Sequence, residues 1–158
     1  MATESSRAAE ADTGVRLSDW QAGVVGGIAG AAVMAVLVSV MNAAVLQAAI
    51  PGLYGLSGGI AGWIVHLSHG AVLGVVFAAI IDRGLGGDSS TGTVVGLGLA
   101  WGVVTWIGLA ALVMPVWLSV VGSPASPPFP NFAPPSLLWH AVYGAVLGGV
   151  YTATADRL

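Results

Sequence analysis

The chain contains no cysteine and no lysine. Without cysteine there is no disulfide frame and no thiolate chemistry. Charge of either sign is scarce, at 7% of 158 residues, where a soluble domain carries about a quarter. No charged residue lies between Trp20 and Ile81, and none between Ser89 and Ala155. Runs this long exclude an ordinary soluble surface, and each can supply two membrane spans of about 20 residues. Acidic residues are missing from the same runs. That weakens a carrier coupled to protons or sodium, which would place carboxylates inside the membrane. It also removes the acid of any Ser/His/Asp arrangement. The net charge of −3 excludes a generic nucleic-acid binder. The loop Gly84–Gly92 is rich in glycine but has neither the lysine nor the preceding strand of a phosphate-binding loop. No kinase or hydrolase motif is present, so an enzyme is not expected.

What is present is apolar. Hydrophobic residues make up 56% of the chain, and mean hydropathy is +0.91. Residues 1–19 are polar and read as a disordered, solvated tail without the short apolar core of a cleaved signal peptide. Residues 20–158 are expected to form an all-α membrane domain of four transmembrane helices. The first runs from about Trp20 to Ala48, the second from Ile60 to Ile81, the third from Thr93 to Val120, and the fourth from Ser136 to Thr154. Ile50-Pro51-Gly52 is a stop signal. The segment Gly122–Pro135 holds six prolines and is expected to be an extended outer loop.

The spans form two copies of one hairpin. His66-Leu-Ser-His69-Gly-Ala-Val-Leu-Gly74 and His140-Ala-Val-Tyr143-Gly-Ala-Val-Leu-Gly148 both continue to Asp-Arg, at Asp82-Arg83 and Asp156-Arg157. Ten positions are identical over these 18-residue windows, which lie 74 residues apart. Upstream, Gly23 pairs with Gly96, Met41 with Met114 and Pro51 with Pro124 at an offset of 73. The repeats thus cover about 22–83 and 95–157, and a pseudo-two-fold axis along the membrane normal is expected to relate them. Gly23, Gly26, Gly27 and Gly30 form overlapping Gly-x-x-x-Gly pairs that allow close helix approach in lipid. Arg7, Arg16, Arg83 and Arg157 all fall on one side if both termini are cytoplasmic, as the positive-inside rule requires. The location expected is the cell membrane, multi-pass. Trp20, Trp63, Trp117 and Trp139 read as an interfacial belt.

Chemistry can reside in few places. His66 and His140 share helical stripes with Gly70 and Gly74 and with Gly144 and Gly148, so both should face the bundle interior. They lie about 5–10 Å below the outer surface at about 1.5 Å per residue. His69, Asn42, Met41 and Met114 fall at a similar depth. Two facing histidines can ligate a haem b iron, and His66, His69, His140, Met41 and Met114 offer donors for copper. A structural role is the other reading, with the histidines hydrogen-bonded to carbonyls, Asn42 or Tyr143 and the methionines as packing. The glycine stripe leaves little room for a porphyrin unless the helices splay at their outer ends.

Leu53-Tyr54-Gly55-Leu56, Gly62-Trp63-Ile-Val-His66, Val113-Met-Pro115-Val-Trp117-Leu118, Pro130-Asn131-Phe132 and His140-Ala-Val-Tyr143-Gly144 carry a resemblance. Over roughly residues 20–157 the chain resembles a family of small four-span membrane proteins of halophilic archaea, which often bear a histidine-kinase label. The acidic tail and the absent lysine suit such a source. The label finds no ATP-binding domain here. The resemblance implies fold and location but no activity. The function expected is a structural, accessory or sensory membrane subunit in the lipid bilayer, as a homo-oligomer or within a larger membrane complex. The alternatives are a redox subunit holding haem b or copper through His66 and His140, and a small-solute permease.

Overall fold

A computed structural model describes residues 16–85 and 89–156. Most of the polar tail, part of the glycine-rich loop, Arg7 and Arg157 lie outside the described residues. Ser18 starts α1 (Asp19–Met41), with its amide and hydroxyl both donating to Gln21 Oε1. The chain breaks at Asn42 and continues as a π-helical turn, π1 (Val45–Ala49), and a short α2 (Ile50–Gly52). Then follow α3 (Gly59–Leu85), α4 (Thr91–Thr105), π2 (Trp106–Val113), α5 (Met114–Val120) and α6 (Pro134–Thr154). Ser90 caps α4 by accepting from the Thr93 amide at 3.2 Å. The pair Pro134-Pro135 opens α6, where missing amide protons are harmless. No strand occurs among the described residues.

Three helical stretches are long and apolar enough to cross a membrane: Asp19–Met41, Gly59–Gly84 and Thr91–Val120. Helix α6 has 21 residues but is more polar, with Trp139, His140, Tyr143, Tyr151 and Thr152. Its position explains that composition. No residue from Trp139 to Thr152 is exposed, so α6 meets protein where the other helices meet solvent or lipid.

The helices follow one another in space as α3, α1, α6, α4. Glycine sets each contact. Gly23 and Gly27 lie against Gly74 and Gly70 of α3, while Gly26 and Gly30 lie against Leu147 and Tyr143 of α6. The overlapping Gly-x-x-x-Gly pairs of α1 therefore serve two different neighbours. Gly98 and Gly102 pack on Gly144 and His140 in the same manner. Tyr143 spans the middle of the bundle and donates to the Gly70 carbonyl at 3.1 Å. Tyr143→Phe should lose about 1 kcal/mol, the usual net value of one such bond; denaturant titration in detergent micelles measures it. At the end of the bundle where residues 17 and 156 meet, called inner by position alone, the Leu17 amide donates to Thr154 O (2.8 Å) and the Asp156 amide to Leu17 O (3.0 Å), tying the start of α1 to the end of α6.

Two expectations need correction. A two-fold axis exchanging the hairpins would make α3 meet α4 as α1 meets α6. Instead α1 and α6 pack along their length, and α3 and α4 barely touch. The offset of 73 also fails in space. Gly23 is buried against α3, but Gly96 is exposed and faces nothing within 4 Å. Gly27 and Gly98 are the positions with matching contacts. Likewise Pro124 is exposed, and the buried counterpart of Pro51 is Pro115. π2 lies between Gly98 and Met114, whereas no π-turn separates Gly27 from Met41, so the offset of 71 at the glycines differs from that of 73 at the methionines.

The two prolines show how the π-turns end. Proline lacks an amide proton and frees the carbonyl four residues earlier. Pro51 frees Gln47 O, which accepts from the Gly58 amide at 2.8 Å. Pro115 frees Ala111 O, which accepts from the Asn131 amide at 2.9 Å. The second bond draws the proline-rich segment back onto the helices, assisted by Ser126 Oγ donating to Pro115 O at 3.1 Å. The segment is thus a folded roof and not an extended loop.

Candidate functional site

The outer half of the bundle is open. With α3 separated from α4 and π2, a cleft of about 960 Å³ lies beneath the roof, at the upper end of the range for ligand sites, about 300–1,000 Å³. All of the candidate residues line it: His66, His69, His140, Met41, Met114 and Asn42. Sequence reasoning thus placed these side chains in one locality. It did not foresee the space. The space that a large ligand requires is present because α1 and α6 pack between α3 and α4, which barely touch.

Each histidine has a different environment. His66 is 8% exposed; its ring bonds to the Ala31 backbone, and its buried Nε2 has no hydrogen-bond partner among the described residues. His140 Nδ1 lies 2.7 Å from Ser136 O. A carbonyl can only accept, so Nδ1 carries the proton and Nε2 of the neutral ring keeps its lone pair. Metal-ligating histidines are commonly held in this way. His69 is engaged elsewhere: its Nε2 pairs with the Tyr54 hydroxyl at 2.7 Å. Met41 Sδ accepts from Trp139 Nε1 at 3.0 Å. Among the described residues, no three His, Asp or Glu side chains are grouped to hold a metal ion.

Other residues of the site were not among the candidates read from the sequence. Ala48 and Ala49 of π1, and Leu109, Ala110 and Val113 of π2, form part of the wall. The only signal for them was an apolar run ending in Ile-Pro or Met-Pro. From the roof come Ala125, Pro127, Asn131 and Ala133, and from α4 comes Thr105, whose hydroxyl donates to Gly102 O at 2.9 Å. Among the described residues, no charged side chain lines the cleft. An ion held there would lack a counter-charge, and an unpaired charge is costly away from water. The arrangement suits an uncharged, mostly apolar molecule with a few polar atoms. No protein-family model matches this chain, and no curated protein or solved structure shows significant similarity to it.

Proposed function

We propose that the protein is a four-span subunit of the cell membrane that holds an uncharged, largely apolar ligand between His66 and His140. The observation that carries this reading is a cleft of about 960 Å³ that has His66 and His140 in its wall and, among the described residues, no charged side chain. Large, mostly apolar concavities with a few polar groups are the usual form of a small-molecule site. On this reading α6 is the fourth span and the two hairpins derive from one duplicated unit. Both termini lie on the cytoplasmic side, and kinship with the four-span proteins of halophiles belongs to the same proposal. As an accessory or sensory subunit, alone, as a homo-oligomer or in a larger complex, it would respond to occupancy and perform no chemistry of its own.

A second reading is favoured by the His140–Ser136 bond. That bond leaves His140 Nε2 with its lone pair, so His140 and His66 would be the residues to hold a haem b, which would supply electron transfer. Among the described residues no cation lines the cleft to pair with the propionates.

Protein purified in mild detergent separates the two. Organic extraction followed by mass spectrometry should return a stoichiometric neutral compound, lost in His66→Leu and His140→Leu. A Soret band that disappears in the same variants would establish haem instead. Recovery of neither compound nor colour, with both variants as stable as the parent, would leave only a structural role.

A further inference from the structure

We propose that Leu97 and Trp101 hold α4 away from α3 and so keep the cleft open, standing where the first hairpin has Gly26 and Gly30. The inference uses the matched helix contacts of the two hairpins. It depends neither on their origin nor on what the cleft binds.

Backbone contacts fix the match. Gly27 faces the Gly70 carbonyl and the Gly74 Cα, and Gly98 faces the Gly144 carbonyl and the Gly148 Cα. One turn earlier, a β-carbon on Gly74 would meet Gly23 O, and one on Gly148 would meet Val94 O. Two turns later, Met34 and Thr105 both line the cleft. Each of these pairs is 71 residues apart. In that register Gly26 corresponds to Leu97 and Gly30 to Trp101. Tyr143 and Leu147 of α6 correspond to His69 and Leu73 of α3, at the 74 residues that separate the histidine motifs.

Here the two hairpins differ. On α1, Gly26 and Gly30 let the backbone lie against Leu147 and Tyr143, the close approach that small residues permit between helices in lipid. The counterpart contact would set Leu97 and Trp101 against Leu73 and His69. That contact is not made. Helices α3 and α4 barely touch, and His69 and Leu73 line the cleft instead. Part of the cleft wall is therefore the surface that the counterpart contact would cover. The obstacle is bulk. Even a β-carbon on Gly30 would come within 2.7 Å of Tyr143 O, so whole side chains at the counterpart positions exclude such an approach. Leu97 is 37% exposed, and Trp101 is partly buried and packs against the core. The width of the cleft, and with it the size of what can enter, is then set by two side chains of α4.

The chain has no cysteine, so spin labels can be placed in chosen pairs. In the full chain in phospholipid nanodiscs, labels at Ile64→Cys and Val104→Cys report the α3–α4 distance by pulsed electron resonance. Labels at Leu138→Cys and Val104→Cys report the α6–α4 distance, and all three positions are exposed. With Leu97→Gly and Trp101→Gly together, the α3–α4 distance should shorten by several ångströms. The α6–α4 distance should stay, which shows that the bundle is folded. Trp101→Phe retains a large ring and should keep the parent distance. An unchanged α3–α4 distance in the folded glycine variant would overturn the inference, as would shortening in Trp101→Phe. If the glycines broaden both distances, Leu97→Ala with Trp101→Ala, which restores helix propensity, is read by the same criteria. Broadening there too would assign the two residues to folding and not to spacing, and the inference would fall. The distances are measured without ligand, so failure of the ligand-site reading leaves them unaffected.

Discussion

Gly27→Val and Gly144→Val should each disrupt the bundle, with a loss of about 3 kcal/mol or more, the upper range for overpacking. A β-carbon on Gly27 would overlap the Gly70 carbonyl oxygen, and one on Gly144 would overlap the Gly98 carbonyl oxygen. Both obstacles are helix backbone, which cannot swing away as a side chain can. The helices would have to separate, and the inner contacts that hold the cleft's base would go with them. Gly96→Ala is the contrast. No atom stands within 4 Å of its added β-carbon, so this change should stabilise α4 by about 0.5–1 kcal/mol through helix propensity. Unfolding in mixed micelles, followed by helical circular dichroism, measures all three. The linear repeat pairs Gly96 with Gly23 and would forecast equal damage. Opposite signs are expected from the packing.

His66→Leu should separate stability from binding. Without ligand, leucine removes a buried nitrogen that has no partner among the described residues and also the ring's bond to the Ala31 backbone, so the two effects offset and stability should stay within about 1 kcal/mol of the parent. With ligand, the parent protein gains about 2.7 kcal/mol at a hundredfold excess over Kd, and the variant should gain nothing. His140→Leu breaks the bond to Ser136 O with no orphaned nitrogen to offset it and should lose about 1 kcal/mol even in the empty protein. Thermal melts with and without the extracted compound distinguish these patterns. If His66→Leu were strongly destabilising without ligand, the histidine would be a structural member of the bundle and the binding role would fall.

Much of the helical order was legible in the residues. Two charge-free runs, the stop at Ile50-Pro51-Gly52 and the polar loop near Gly84 placed the long segments within a few residues of α3, α4 through α5, and α6, but the first span, expected to run to about Ala48, is broken at Asn42, where α1 ends and π1 soon follows. The glycines chosen for close approach do make the contacts: Gly23, Gly27, Gly70, Gly74, Gly98, Gly102, Gly144 and Gly148. The histidines, Met41 and Met114 do share one locality. The π-turns were not legible, because an apolar run gives no sign of how many residues a turn contains. The roof was missed for a related reason. Its anchor is the Ala111 carbonyl, freed by a proline four residues away and invisible to composition.

Composition by itself determined an apolar, helical chain built for lipid, and small residues determined where helices could touch. It could not determine which helices do touch. Helix α1 is apolar around its whole circumference, so its hydrophobic pattern favours no face: lipid and protein neighbours are equally apolar. Only the tertiary structure decided that α1 and α6 form the middle, that α3 stands away from α4, and that His66 and His140 border open space. The physical reason is backbone geometry. Glycine contacts seat α3 on α1 and α4 on α6, α1 and α6 stand between α3 and α4, and the result is a cleft that no side-chain pattern records.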